Sequence, residues 1–349
     1  MNKTNIRRFV VGIAIGAVCL ILVFKKVGVA QPWRLLGHIN GDWVFLALAI
    51  SASNLLLRAW RWQGMFPPRS RPTLKACVQV SAIGNLANNL LPGRLGDLAR
   101  CTLIGRKFSA SDTGEAVATL GMEKISDGCA LLALLFVSIA IFTPPRWVWQ
   151  LGAVSGLTFA AALIFLLALR LWAEPVKTKV LWVIRLLRLP RLTNRVSELL
   201  SSFTTALREI KSSEQLIVIF LITIVIWMTE AALIWAMAGS VNVSVAGNSA
   251  MFVAAVIGLG FVIPAAPAAL GTYEAFGVAA FQSVGVSPSE GLAITLLLHG
   301  WVFLTSSSFG LLSLAFAGRR FSGFFSSTRT TISASQLESQ VKPVHGDYL

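Results

Sequence analysis

Eight apolar runs, at about 9–24, 43–57, 74–91, 117–142, 147–169, 215–238, 249–285 and 290–316, alternate with polar segments along this chain. Several approach the roughly 20 residues that cross a bilayer as a helix. The pattern therefore predicts an all-α, polytopic integral membrane protein. The polar segments set its topology, because Lys and Arg concentrate in cytoplasmic loops. The longest, 170–211, holds nine basic residues against three acids and is expected in the cytoplasm. Within it, VLWVIRLLRLPRL has the pattern of an interfacial amphipathic helix ended by Pro190. Arg58, Arg61, Arg69, Arg71 and Lys75 mark a second cytoplasmic loop, and Arg319 and Arg320 mark the end of the last run. The uncharged stretch 239–250 is expected outside.

These loops predict about six crossing helices and two re-entrant hairpins. The run 74–91 begins beside one basic loop and ends at Arg94, Arg100, Arg106 and Lys107, so it enters and leaves on one face. The run 249–285 starts outside and must return there, because 290–316 has to reach Arg319 on the inside. Lys25 and Lys26 fall on the outer side in this arrangement. The hairpin tips share a pattern, PGRLGD (Pro92, Gly96, Asp97) and PAALGTYE (Pro267, Gly271, Glu274). Interrupted hydrophobic segments entering from opposite faces are the signature of an inverted repeat with a midplane site; a chance Pro/Gly match is the alternative.

Composition sharpens this picture. With 55% hydrophobic and 13% charged residues and a mean hydropathy of +0.73, no stretch is left to form a soluble domain. The net charge of +15 lies beside apolar segments, which fits positive-inside loops and anionic headgroups and gives no nucleic-acid surface. Cys19, Cys77, Cys101 and Cys129 have neither zinc nor disulfide spacing. Arg7 and Arg8 precede the first run without a small-residue cleavage site after it, so a retained helix is expected. Residues 1–320 read as one transmembrane domain, and 321–349, rich in Ser and Thr, as a disordered tail.

The chemistry concentrates in GNLANNLLPGRLGDLAR, residues 84–100, where Asn85, Asn88, Asn89, Arg94, Asp97 and Arg100 surround a Pro92–Gly93 break. Broken, charged backbone at membrane depth is tolerated only inside protein or along a watery cavity. Arg94, Asp97 and Arg100 fall close to one helical face. Arginine grips phosphate oxygens bidentately, so Arg94 and Arg100 suit a phosphate with Asp97 orienting them. A salt bridge pinning the hairpin is the plainer reading. Glu123 and Asp127, four apart, share a face and suit holding those arginines, binding a cation or relaying protons. Glu230 sits alone in FLITIVIWMTEAALIWAM, either bonded between helices or touching a proton or substrate. His299 reads as a hydrogen-bonded interhelical histidine. Trp33, Trp43, Trp60, Trp62, Trp147, Trp149 and Trp172 read as interface anchors. There is no P-loop, GxSxG elbow or HExxH, so no catalytic residue, metal ligand or cofactor is expected.

RAWRW at 58–62, NNLLPGRLGDLAR, EKISD at 123–127 and PAAPAALGTYE at 264–274 fall in an order that resembles the lysylphosphatidylglycerol synthase transmembrane region. This is also called the flippase-like domain family, the membrane half of the bacterial multiple peptide resistance factor. The resemblance runs over roughly 9–316. It implies movement of a lipid between leaflets of a bacterial cytoplasmic membrane, without synthase activity. Asp97 stands where the family commonly has Glu, and Ala268 and Ala269 replace glycines usual after the hairpin proline.

The expected ligand is thus an anionic phospholipid or a polyprenyl-linked lipid. Arg94 and Arg100 would hold its phosphate, Asn88, Asn89 and Asp97 would line the hairpin, Glu123 and Asp127 would organise the arginines, and Glu230 and Glu274 would face them. The alternative is a non-transporting membrane partner of a lipid-modifying enzyme or glycosyltransferase, docked through 170–211. Both termini are expected in the cytoplasm.

Overall fold

A computed structural model of the chain describes residues 17–25, 27–28, 30–37, 39–91, 95–107, 113–140, 143–186, 193, 196–198, 200–201, 203–205, 213–260 and 267–317. The regular elements among these are helical. They are α1 (Ala30–Leu36), α2 (Gly41–Gly64), α3 (Leu74–Leu90), α4 (Leu95–Lys107), α5 (Thr113–Ile139) and α6 (Arg146–Leu171). After these come α7 (Ala173–Leu186), α8 (Ser213–Ser240), α9 (Gly247–Gly260), α10 (Thr272–Ser283) and α11 (Pro288–Ala317). Short 3₁₀ turns lie at Pro68–Ser70 and Pro267–Ala269.

Helices α2, α6, α8 and α11 are long and apolar enough to cross a membrane. Their outer faces show why such a chain needs lipid: Phe45, Leu157, Ile164, Leu221, Leu304 and Phe316 are all exposed. Helix α5 has 27 residues, about 40 Å at 1.5 Å per residue, but Glu115, Glu123, Lys124 and Asp127 interrupt its apolar character. Local sequence sets several boundaries. The Asn40 side chain accepts from the Asp42 N–H at 2.9 Å, and Thr73 caps α3 through the Ala76 N–H. Pro145 precedes α6, and Pro288 opens α11.

Two helix pairs are too short to cross a core about 30 Å thick. Helices α3 and α4 have 17 and 13 residues, and α9 and α10 have 14 and 12. Each pair packs on itself as a hairpin. In the first, Gly84 and Gly96 bring the backbones together; a Cβ on Gly96 would run into the Gly84 carbonyl and Asn88. Residues 92–94, which join these arms, lie outside the described residues, and so does Arg94. In the second, Phe276 of α10 covers Gly260 of α9, and every residue from Phe252 to Gly260 is buried.

The order helix, hairpin, helix occurs twice, as α2–α5 and as α8–α11. A single offset of 175 residues carries Asn54 onto Thr229, Gly96 onto Gly271 and Lys124 onto His299. The packing follows the same exchange. Helix α3 lies on α11 as α9 lies on α5, α2 on α3 as α8 on α9, and α4 on α5 as α10 on α11. Helices α2 and α8 pack on each other, and there Asn54 donates to Thr229 Oγ1 at 2.7 Å.

Three sequence expectations change. Arg58 and Arg61 are not loop residues: they lie on α2, and Arg61 is 1% exposed. Trp62 is not an interface anchor. It is fully buried and donates to Thr119 at 2.9 Å, whereas Trp33, Trp60, Trp149 and Trp172 are exposed. The amphipathic helix begins earlier than VLWVIRL suggests, at Ala173, and its expected end at Pro190 lies outside the described residues. The C-terminal tail 321–349 lies outside them too.

Candidate functional site

The two hairpins meet at one cavity. Helix α3 packs against the Pro267–Ala269 turn, and beside this contact opens a space of about 700 Å³. Asn88 and Asn89 of α3, Asp97 and Arg100 of α4, and Glu123, Lys124 and Asp127 of α5 line it. From the other half come Glu230 of α8, Ala268, Tyr273 and His299. Described residues from both hairpins thus bring polar groups to one cavity.

One wall is a chain of alternating charges. Lys124 Nζ lies 3.0 Å from Asp97 Oδ2, and Asp97 Oδ1 lies 4.0 Å from Arg100 Nε. Arg100 Nη2 donates to Glu123 Oε1 at 2.8 Å, and the same oxygen is 3.6 Å from Arg61 Nη2. Arg61 Nη1 donates to Asp127 Oδ1 at 2.5 Å and to Thr223 at 3.0 Å. Trp227 completes the chain by donating to Asp127 at 3.2 Å. Three cations and three carboxylates alternate, so burial leaves no uncompensated charge. Arg100 also stacks over the Trp62 ring at 4.7 Å. Asn88 holds the start of α4, donating to Asp97 Oδ1 at 3.1 Å and accepting from the Asp97 N–H at 3.2 Å.

Glu230 is not alone. Arg58 Nη2 donates to it at 3.0 Å, Asn54 bonds to it at 3.3 Å, and the Arg58 guanidinium covers the Trp227 ring at 5.3 Å. Asn89 ties α3 to α11 through Ser306 at 2.8 Å and Ser307 at 3.0 Å. Glu274 is buried against His299, Oε1 to Nδ1 at 2.5 Å, and its Oε2 accepts from the Gly271 N–H at 2.6 Å. Glu123 and Asp127 do share a face, and both turn it toward Arg61.

Sequence reasoning missed Arg58 and Arg61 as members of the site. Their signal was present: they are three apart on a helix face at the end of an apolar run, and Glu230 had no other basic partner in the sequence reading. No group of three or more His, Cys, Asp and Glu side chains able to hold a metal ion occurs among the described residues.

A sequence profile described as the Lysylphosphatidylglycerol synthase TM region matches residues 9–310. The chain belongs to this family. The match covers both hairpins and every charged residue of the cavity, and no synthase domain is detected. Among curated proteins, none matches the chain.

Proposed function

We propose that this protein receives the phosphate-bearing headgroup of an anionic or polyprenyl-linked lipid in the inter-hairpin cavity and moves it between leaflets. One observation carries the reading. Arg100, 7% exposed and lining the cavity, keeps its Nε without a hydrogen-bond acceptor among the described residues. A buried donor left unpaired costs free energy that a phosphate oxygen would recover. Lys124 is the most exposed cation of the wall, its side chain 41% accessible, so a phosphate can displace Asp97 from it without breaking the buried Arg61 pairs. Arg94 immediately precedes α4, where a helix N-terminus also favours an anion.

In this proposal the two hairpins are re-entrant from opposite faces, forming an inverted repeat around the cavity. The basic segment 170–211 and both termini face the cytoplasm of a bacterial inner membrane. Helix α7, with Trp182 and Leu186 exposed beside Lys177, Lys179 and Arg185, lies along that surface.

The test is transbilayer movement of a fluorescent phosphatidylglycerol analogue in proteoliposomes holding only this protein. Wild type should accelerate it. Arg94→Gln, and a combined Arg94→Gln/Lys124→Gln variant, should lose at least about tenfold in rate while purifying as folded protein, and Arg94→Lys should be impaired through lost bidentate geometry. Wild-type rates in folded Arg94→Gln/Lys124→Gln protein would remove the phosphate role.

A further inference from the structure

Counting hydrogens at the tip of the second hairpin leads beyond lipid binding. His299 is engaged at both ring nitrogens: Nδ1 with Glu274 Oε1 at 2.5 Å, and Nε2 with the Ala268 carbonyl oxygen at 2.8 Å. The Ala268 carbonyl can only accept, so Nε2 must carry a hydrogen. A neutral imidazole has only that one, and an ionised carboxylate has none. The Nδ1–Oε1 contact would then set two lone pairs against each other. It closes only if one more proton lies between them, as imidazolium with carboxylate or as neutral imidazole with carboxylic acid. The two descriptions agree on the count.

The bridge also holds a strained turn. Ala268 and Ala269 have φ of 54° and 58°, in the left-handed region that L-residues avoid, and Gly271 has φ of 85°. His299 grips the Ala268 carbonyl at one end of this turn, and Glu274 grips the Gly271 N–H at the other. Losing the shared proton leaves His299 one hydrogen for two acceptors, so it must release either Glu274 or Ala268, and one of the two links between the turn and α11 opens.

The first half of the molecule supplies the control. At the equivalent position Lys124 binds Asp97 at 3.0 Å. An ammonium carries three hydrogens and needs no shared proton to bind Asp97, whereas a neutral imidazole carries one for two acceptors, so only the His299 bridge depends on an added proton. The surroundings leave the pair to itself. Helix α9 has no ionisable side chain, α3 has Lys75 and Cys77 near its start, α1 has Arg34, and α11 otherwise has Glu290 in its first turn, bound to Ser287. Tyr273 of α10 stacks on His299 at 4.4 Å. Across the cavity, Glu230 is paired with Arg58, and the acids of the other wall are paired with Lys124, Arg100 and Arg61. Asp42 of α2 and Glu214 of α8 lie in the first turns of those helices.

The geometry points to Glu274–His299 as a proton-binding latch: loaded, it ties the second hairpin's turn to α11 through both ring nitrogens, and unloaded, through only one. The departing proton goes to cavity water and leaves a carboxylate and a neutral imidazole. Where the latch drives lipid movement, the inference rests on the function proposed above.

Nitrogen-15 histidine NMR of the full chain in phosphatidylglycerol nanodiscs, titrated from about pH 5 to about pH 9, reads the proton directly. The His299 signals, identified by their loss in His299→Gln, should report about one proton lost in a single step. Hydrogen exchange around Gly271 should rise with that step. Glu274→Gln reproduces the loaded bonding, its amide donating to Nδ1, so it should abolish the step and keep the turn protected. Overturning results are a His299 step unchanged in Glu274→Gln, a pair that neither gains nor loses a proton over the range, or exchange at Gly271 indifferent to the step. In proteoliposomes, wild-type phosphatidylglycerol movement should respond to a pH gradient. Movement that ignores the gradient sinks the coupling alone. A working latch in a protein that moves no lipid sinks the proposed function alone.

Discussion

The first hairpin, α3–α4, is held by charge: Asp97 and Arg100 reach Lys124 and Glu123, and Asn88 ties its arms together. The second, α9–α10, is held by burial: nine consecutive residues of α9 are buried, and one Glu–His bridge is the sole ionisable contact of its tip among the described residues. Short helix pairs in the same order thus reach the same cavity by opposite means. Ion pairs in a sheltered site are stiff because breaking one strands a charge, whereas an apolar hairpin can slide if its single polar anchor lets go. In the function proposed above, this difference would make the first half of the molecule the fixed wall and the second the moving part.

The strongest way to break this comparison is to unpair the fixed wall. Arg61 contacts both Glu123 and Asp127 and is almost wholly buried. Arg61→Met should cost about 3–5 kcal/mol, because it leaves carboxylates without a partner. Abundance and the detergent melting temperature should both collapse. Adding Asp127→Asn should recover part of the loss, which a purely steric role for Arg61 would not allow. An Arg61→Met protein as stable as wild type would show that the first half is not held by charge.

A smaller effect tests the contact between the first hairpin's arms. Gly96→Ala drives a methyl group into the Gly84 carbonyl and the Asn88 backbone, and overpacking of this kind costs about 1–3 kcal/mol. Gly156, in the middle of α6, has nothing within 4 Å of an added Cβ, so Gly156→Ala should be neutral or slightly stabilising. Thermal melts of the two variants in one detergent compare directly. Equal melting temperatures would mean that the α3–α4 approach is not tight enough to matter.

Much of this arrangement was legible in the chain. Apolar runs located the four helices long and apolar enough to cross a membrane, and the Pro–Gly and Pro–Ala breaks fall between the arms of the two short helix pairs, because breaker residues act locally. Helical spacing placed Glu123 and Asp127 on one face, also a local property. What stayed hidden was partnership. Arg58 and Arg61 carry the same charge as true loop residues, and only the packing of α2 against α5 and α8 makes them counterions to acids more than sixty residues away. His299 and Glu274 were each visible, yet no local pattern shows that two ring nitrogens face two acceptors. Arg94, central to the sequence reading, lies outside the described residues.

The smallest expected effect concerns the second hairpin's turn. Ala268 and Ala269 both adopt positive φ, the region that glycine tolerates and a Cβ disfavours. Relief of that strain is partly offset by glycine's larger loss of freedom on folding, which leaves a gain of about 0.5–1 kcal/mol for each Ala→Gly change. Ala268→Gly and Ala269→Gly should therefore raise the melting temperature slightly. They should also weaken the latch's response to proton loss, since less strain is stored for release when the Glu274–His299 bridge opens. Hydrogen exchange around Gly271 in the double variant, followed across the same titration as wild type, separates the two consequences. A shift in melting temperature with an unchanged exchange step would make the strain a stability feature only. A fall in melting temperature would show that the alanine methyls are packed where they are, and that the turn is not strained in the sense its φ angles imply.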